Sequence, residues 1–492
     1  MKKLLYNTPL HSFMLVPALI FFLFVYNYSF SSFHSTVRSY EVALLFSSAI
    51  FTTMYFLFKK NKHKAGVVTT ALMLVLFFYG FIYELAEKMY YKGWWPFSEI
   101  HRYVLLFIFV LALFLFYSLF KAKRSFHSIT LALNVFVIIF FTINLGSLST
   151  AILKKTAKPI QADLANMSKR ANDSMPDIYY IILDGYAQDS ILSFIYNYKE
   201  NSLTGFMQKN NFYIASQSRT NYIATVLSLS SSLNYSYLDS LNSHITSTDK
   251  NVIYENKASE YLKEKGYKVV HIRSGYSVTR ENQYADTTLT LENLGEFERT
   301  LLRYTIFRLD DILGYARFKT LKEQLAVIHR SLDIRGPKYT FIHIVSPHPP
   351  YVCDENGNYK TSPRVVNVWW EPKKDYLAQL KYINKEVINI LSEIKTKSKN
   401  PPVIIVQSDH GPWAQAASFR QLYETRSRIL NAYFIPYKWK DKLYSSITPV
   451  NSFRFIFNGL FGDSIPMTKD IPLDSASVMQ NANTNLMAKD IE

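Results

Sequence analysis

The feature that most restricts this chain is a set of five apolar runs, at residues 10–30, 42–58, 66–83, 103–120 and 129–145. None of them contains Asp, Glu, Lys or Arg. Each is close to the roughly 20 residues that an α-helix needs to cross a bilayer core. One such run is compatible with a buried helix in a soluble protein. Five in succession, with the charges confined to the connections, read as a five-helix transmembrane domain over residues 1–150. The connections orient it. Lys2 and Lys3 precede the first run, Lys59, Lys60, Lys62 and Lys64 follow the second, and Lys121, Lys123 and Arg124 follow the fourth. The other connections are poorer in Lys and Arg, and one carries Trp94 and Trp95, which suit a membrane interface. This bias puts the N-terminus in the cytoplasm, so five crossings place everything after Leu145 outside. The first run is too long, and followed by too many others, to be a cleaved signal peptide.

That location decides how the charge is read. The net charge of +17 would fit nucleic acid, but an extracytoplasmic domain rarely meets it, and no basic run interleaved with aromatics occurs. Anionic lipid headgroups or an anionic glycan are the better partners. The single cysteine, Cys353, excludes an intramolecular disulfide framework. A domain of the remaining length can bury enough core without one.

Residues 151–174 are polar and read as a tether, 175–470 as a second domain, and 471–492 as a polar tail. The second domain opens on PDIYYIILDGY, residues 176–186. Residues 178–183 are apolar, β-branched and aromatic without helical spacing, the pattern of a fully buried strand. The run stops at Asp184-Gly185, a carboxylate at the C-terminal end of a strand, where open α/β sheets build their sites. Further strands are expected at 212–215, 267–272, 338–345, 403–406 and 429–435. Helices are expected at 190–198, 203–210, 251–264, 296–332 and 374–397. Strands alternating with helices predict a mostly parallel sheet covered on both faces.

The strand ends carry the chemistry. Asp184 ends the first, His348 follows another in SPHPPY, and VIIVQSDHG ends at Asp409-His410. Between them lies SRTNYIATVLSLSSSLNY, residues 218–235, rich in hydroxyls. Carboxylate oxygens and an imidazole nitrogen converging at strand ends fit one divalent metal ion. Asp184 and Asp409 could instead cap the turns that follow them.

These motifs resemble the alkaline phosphatase/sulfatase superfamily and, within it, the membrane-anchored phosphotransferases: the lipoteichoic acid synthases and phosphoethanolamine transferases. The resemblance covers residues 176–436, and the five-helix anchor is similar too. It implies a three-layer αβα domain. It also implies a Mn2+ or Zn2+ ion held by Asp184, a nucleophilic hydroxyl, Asp409 and His410. Thr225 gives the best register for the nucleophile, with Thr220 and Ser228 as alternatives. His348 resembles the family's histidine beside the substrate phosphate, expected to donate to the phosphoryl oxygens or protonate the leaving group. Arg219 and Trp413 are expected to contact the substrate. Cys353 lies in the wrong segment to be a formylglycine precursor, and no Cys-x-Pro-x-Arg stretch exists. The activity implied is transfer of a phosphoglycerol- or phosphoethanolamine-type headgroup from a membrane phospholipid to a glycan or lipid acceptor. The alternatives are a phosphodiesterase or phosphatase of the same superfamily, and a non-catalytic envelope-assembly protein.

Overall fold

The computed structural model describes residues 2–26, 33–91, 94, 100–156, 175–238, 251–276, 278–280, 282, 284–291, 296–308, 315–360, 372–414 and 418–471. Most of the expected tether and nearly all of the expected tail lie outside them. Six helices come first: α1 Lys2–Asn7, α2 His11–Tyr26, α3 Phe33–Leu57, α4 Lys62–Tyr91, α5 Ile100–Lys121 and α6 His127–Thr156. Then follow β1 Ile178–Leu183, α7 Asp189–Tyr196, α8 Ser202–Lys209, β2 Tyr213–Ile214, α9 Thr225–Leu233, α10 Asn251–Tyr254, α11 Lys257–Glu264, β3 Lys268–Ile272, β4 Thr287–Leu289 and α12 Glu296–Tyr304. The chain continues with α13 Tyr315–Ser331, β5 Lys338–Ile344, α14 Lys373–Lys397, β6 Val403–Gln407, α15 Phe419–Ser427, β7 Asn431–Phe434 and α16 Pro449–Phe461. Contacts divide it into two compact units: residues 1–162 with 293–312, and residues 163–292 with 313–492.

In the first unit, the helices at 36–57, 62–90, 100–121 and 127–149 are long and apolar enough to cross a membrane. Residues 27–30 of the first apolar run lie outside the described residues, and among the described ones the run forms the 16-residue α2, with Pro17 inside it. At the α-helical rise that is about 24 Å, short of the ~30 Å hydrocarbon thickness. Among the described residues, four full-length candidates therefore stand where five were expected. His11, buried here, is anchored at two points: its Nδ1 lies 2.6 Å from Thr70 Oγ1, and its amide donates to Asn134 Oδ1 at 2.8 Å.

The second unit is built on a seven-stranded sheet in the order β2-β7-β6-β1-β5-β3-β4. The pairs β6–β1, β1–β5, β5–β3 and β3–β4 are parallel, and only β7 runs against its neighbours. Every residue of β1 is buried, as expected of a central strand covered on both faces. One layer packs α7, α8, α13 and α14 against Tyr179, Ile181 and Leu183. The other packs α9, α11 and α16 against Ile178, Tyr180 and Ile182. Along α14, Tyr376, Leu380, Ile383, Val387, Ile390 and Ile394 recur at three- and four-residue steps and are buried, the stripe of an amphipathic helix. Asp375 in its first turn and Lys395 and Lys397 in its last match the helix dipole. The mostly parallel αβα architecture is thus the expected one. The long helices expected at 251–264 and 296–332 are each broken. In the first case Asn256 caps α11 by accepting from the Ser259 amide at 2.8 Å.

Candidate metal and nucleophile site

Alternation along the strands sets the site. In β1, Ile178, Tyr180 and Ile182 face the α9 layer, and the next residue in that phase is Asp184. In β5, Tyr339 and Phe341 face the same way, which puts His343 on that face too. The register pairs Ile182 with His343. In β6, Val403 and Ile405 face it, and the phase carries on to Asp409. Three neighbouring parallel strands therefore deliver Asp184, His343 and Asp409 to one point, and their ligand atoms all lie within 4.8 Å of one another.

The chain must bend sharply to allow this. Gly185 has φ 72°, a conformation that costs any residue with a Cβ, and its amide donates to Asp409 Oδ1 at 3.1 Å. At Gly411, a Cβ would sit 2.6 Å from the Thr425 carbonyl oxygen. The second site histidine, His410, is oriented by that same turn. Its amide donates to Asp409 Oδ1 at 2.8 Å, and its Nδ1 lies 3.0 Å from the Gly411 carbonyl. A carbonyl can only accept, so Nδ1 carries the proton and Nε2 presents its lone pair. That Nε2 is 3.3 Å from Asp409 Oδ2, 3.8 Å from Asp184 Oδ1 and 3.1 Å from the hydroxyl of Thr225.

Thr225 is the first residue of α9 and is buried. A hydroxyl in a helix's first turn sits where backbone amides and the dipole favour an anionic phosphate. Thr220 and Ser228 are placed differently: their hydroxyls bond each other at 3.0 Å, and Thr220 also donates to the Tyr222 carbonyl. Of these three hydroxyls, Thr225 is the one in contact with His410.

The electrostatics favour a cation. Asp184 and Asp409 are both buried. Burial, and then the nearby Asp184 carboxylate, push the Asp409 carboxyl up to about 7. Burial lowers His343 to about 4 and drives His410 well below the usual histidine range, so both rings are neutral and able to ligate. Asp409 Oδ2 and His343 Nε2 are buried without a hydrogen-bond partner, although His343 Nε2 is 3.3 Å from Asp184 Oδ2. Unsatisfied buried donors and acceptors are rare in proteins. Two carboxylates, two neutral imidazoles and a hydroxyl around one point are a donor set that a divalent ion satisfies.

His348 follows β5. Its amide donates to the Asp184 carbonyl at 3.2 Å, and its ring centroid lies 6.5 Å from that of His410. Its Nδ1 is 2.6 Å from the Pro349 carbonyl, so the neutral ring bears its lone pair at Nε2. Burial lowers the pKa of this ring. In that state it accepts a proton rather than donating one from Nε2. Arg219 is held by Glu424 at 2.8 and 3.1 Å and by the Ser427 hydroxyl at 3.0 Å. Trp413 is half-buried and lies under the Arg426 guanidinium, 4.3 Å from its ring centroid.

Two residues at the site carry no signal in the motifs. His343 is hidden inside an apolar strand, and only the alternation of β5 together with its register to β1 identifies it. Its Nδ1 rests on Thr279 Oγ1 at 2.6 Å, and Thr279 in turn contacts Ser274 Oγ at 2.8 Å. Arg426 is fully buried. It donates to the carbonyls of Ile223 and Gly411 at 2.8 and 3.3 Å, and its Nη2 is 3.2 Å from His410 Nε2. It thereby ties the segment before α9 to the Asp-His-Gly turn. Cys353 is buried in the core, and burial pushes its thiol up to about 12, so it is inert.

Comparison with known proteins finds no match among curated sequences. Solved structures do match. The C-terminal periplasmic domain of EptC from Escherichia coli, in complex with Zn, aligns at 11% identity and TM-score 0.40, over 59% of this chain and 84% of that one. The corresponding domain of the phosphoethanolamine transferase EptC from Campylobacter jejuni aligns at 14% identity and TM-score 0.38, over 60% and 93%. A phosphonate monoester hydrolase of Agrobacterium radiobacter aligns at 11% identity and TM-score 0.39, over 58% and 74%. A family model described as Sulfatase matches residues 176–437. That is more than half of the 492 residues, and it spans Asp184, Thr225, His343, Asp409 and His410: the chain belongs to the sulfatase family.

Proposed function

We propose that this protein is a membrane-anchored, metal-dependent transferase. It would move a phosphoglycerol- or phosphoethanolamine-type headgroup from a phospholipid to a glycan or lipid acceptor outside the membrane. The observation that carries the reading is the Thr225 hydroxyl at the start of α9, 3.1 Å from His410 Nε2, beside the buried Asp184, His343 and Asp409. Asp184, Thr225, Asp409 and His410 would hold one Mn2+ or Zn2+ ion, with His343 adjoining them. When bound, the ion would lower the pKa of the hydroxyl and offset charge on the phosphoryl oxygens.

The chain's own residues then divide the work. Thr225 Oγ1 attacks the lipid phosphorus, the bond from phosphorus to the diacylglycerol oxygen breaks, and the leaving oxygen takes the proton that Thr225 gives up. An acceptor hydroxyl next attacks the phosphorus of the phospho-threonine diester, and Thr225 Oγ1 leaves. His348 Nε2, neutral and unprotonated, takes the acceptor's proton and returns it to Thr225. Threonine at the nucleophile position, with Cys353 inert in the core, speaks against formylglycine-dependent sulfate ester cleavage. The apolar helices would keep the site beside its lipid donor.

The test is mass analysis of the Thr225 peptide from the full chain in liposomes of phosphatidylglycerol or phosphatidylethanolamine. The His348→Ala variant should slow resolution by about 10²–10⁴ and accumulate the adduct, whose mass names the headgroup. An adduct on Thr220 or Ser228, or turnover that survives Thr225→Ala, would refute the assignment. Free headgroup phosphate without transfer to any acceptor would mark the protein as a hydrolase instead.

A further inference from the structure

The first unit contains a cavity of about 220 Å³ among α2, α3, α4 and α12. Protein interiors hold few voids larger than a water molecule, and an apolar cavity of ~150 Å³ is already enough to take up benzene. Val16 and Ile20 of α2, Val42 of α3, Met73 and Phe77 of α4 and Leu301 of α12 line it. Its only charged lining residues, among the described ones, are Arg38 and Glu298. They form a two-pronged pair: Arg38 Nη2 donates to Glu298 Oε2 at 2.6 Å, and Arg38 Nε donates to Oε1. The Glu298 side chain is only 6% exposed, whereas that of Arg38 is 39% exposed.

The cavity opens to the surface of its unit. At its rim Val42, Phe46 and Phe307 are 47%, 42% and 50% exposed, and the rings of Phe46 and Phe307 meet edge to face at 5.5 Å. Arg38 stands two residues into the apolar span at 36–57, so in a bilayer it lies at the level of the headgroups. An apolar slot with one half-exposed guanidinium at interface depth has the two features of a glycerophospholipid, a hydrocarbon chain joined to a phosphodiester. Guanidinium is well suited to phosphate because its planar fork can make paired hydrogen bonds. Glu298 holds the Arg38 side chain in place and joins α12 to α3.

We propose that this cavity seats one acyl chain of a membrane glycerophospholipid, with the lipid phosphate against Arg38. The proposal rests on the membrane-spanning reading of this unit and is independent of the transfer reaction. The test is native mass spectrometry of the full chain in detergent, titrated with dioleoyl phosphatidylglycerol and, separately, with n-decane. Ala43 of α3 also lines the cavity, so Ala43→Phe fills it and should weaken both ligands by about tenfold or more. Arg38→Met with Glu298→Leu removes both charges together, so that neither is left buried alone. It should weaken the phospholipid and leave decane unchanged. Unaltered phospholipid binding by a folded Ala43→Phe chain would overturn the proposal. If that variant does not fold, the double variant decides, and equal binding of phospholipid before and after the exchange would overturn it. Release of the wild-type chain from membranes at alkaline pH would refute the membrane-spanning reading itself, a result distinct from loss of lipid binding in an integral protein.

Discussion

At the scale of single residues, the site is governed by two buried carboxylates that the fold forces together. Asp409, raised to about 7, holds a proton in the metal-free protein below that pH, and a cation must displace it. Zn2+ or Mn2+ binding should therefore be weaker at pH 6 than at pH 8 and should release a proton at the lower pH. Titration calorimetry in buffers of different ionisation enthalpy measures both. In the same titration His343→Gln should weaken the ion by about 10–100-fold, the cost typical of losing a group that supports a metal site. Binding unchanged in that variant would leave His343 as a strand residue packed against Asp184.

At the scale of elements, Arg426 in the last turn of α15 and Arg428, one residue beyond it, look interchangeable in the sequence neighbourhood but do different physical jobs. Arg426 is fully buried and serves the carbonyls of Ile223 and Gly411. Arg426→Met strands these acceptors, at about 1–3 kcal/mol for each buried group left unsatisfied. Arg428 lies 3.2 Å from Glu424, which also holds Arg219, and both side chains of that i,i+4 pair are 40% exposed. Exposed pairs of this kind contribute about 0–1 kcal/mol, so Arg428→Met should change stability little. Proteolysis of the full chain across a urea series ranks the two variants, and equal loss in both would contradict the division of roles drawn from burial. Arg426→Met should also depress metal binding, because it frees the Asp-His-Gly turn from the segment that leads into α9.

At the scale of the whole molecule, the orientation of the chain in a membrane is the property with the widest consequences. The Lys-rich connections after the second and fourth apolar runs predict a cytoplasmic N-terminus and an extracytoplasmic catalytic unit. A reporter that works only outside the membrane, fused after Leu145, should be active, and a reporter that works only in the cytoplasm should be silent there. The opposite pattern would invert the spans from α3 onward against their Lys-rich connections, and would separate the catalytic unit from an outer-leaflet donor. The net charge of +17 suits a chain that works beside anionic headgroups.

The apolar runs, the buried strand ending at Asp184 and the Asp-His-Gly turn were legible in the residues alone, because each is a local pattern. Length and absence of charge mark a span, a β-branched run marks a covered strand, and a glycine after a carboxylate marks a turn. The family resemblance favours Thr225 over Thr220 and Ser228, but local pattern alone does not separate them. All three are hydroxyls in one segment, and only the packing of α9 on the sheet brings Thr225 to His410 while Thr220 and Ser228 bond each other. His343 and Arg426 were invisible for a related reason. Their roles come from partners far along the chain: Asp184 beside His343, and Ile223 and His410 beside Arg426. The direction in which His348 can move a proton likewise depends on a contact made only in the folded chain, its Nδ1 against the Pro349 carbonyl. Sequence determined the apolar spans, the central strands and which strand ends carry chemistry, since those follow from spacing within a segment. Tertiary structure decided which side chains meet, because strand register and helix packing set distances that no spacing along the chain encodes.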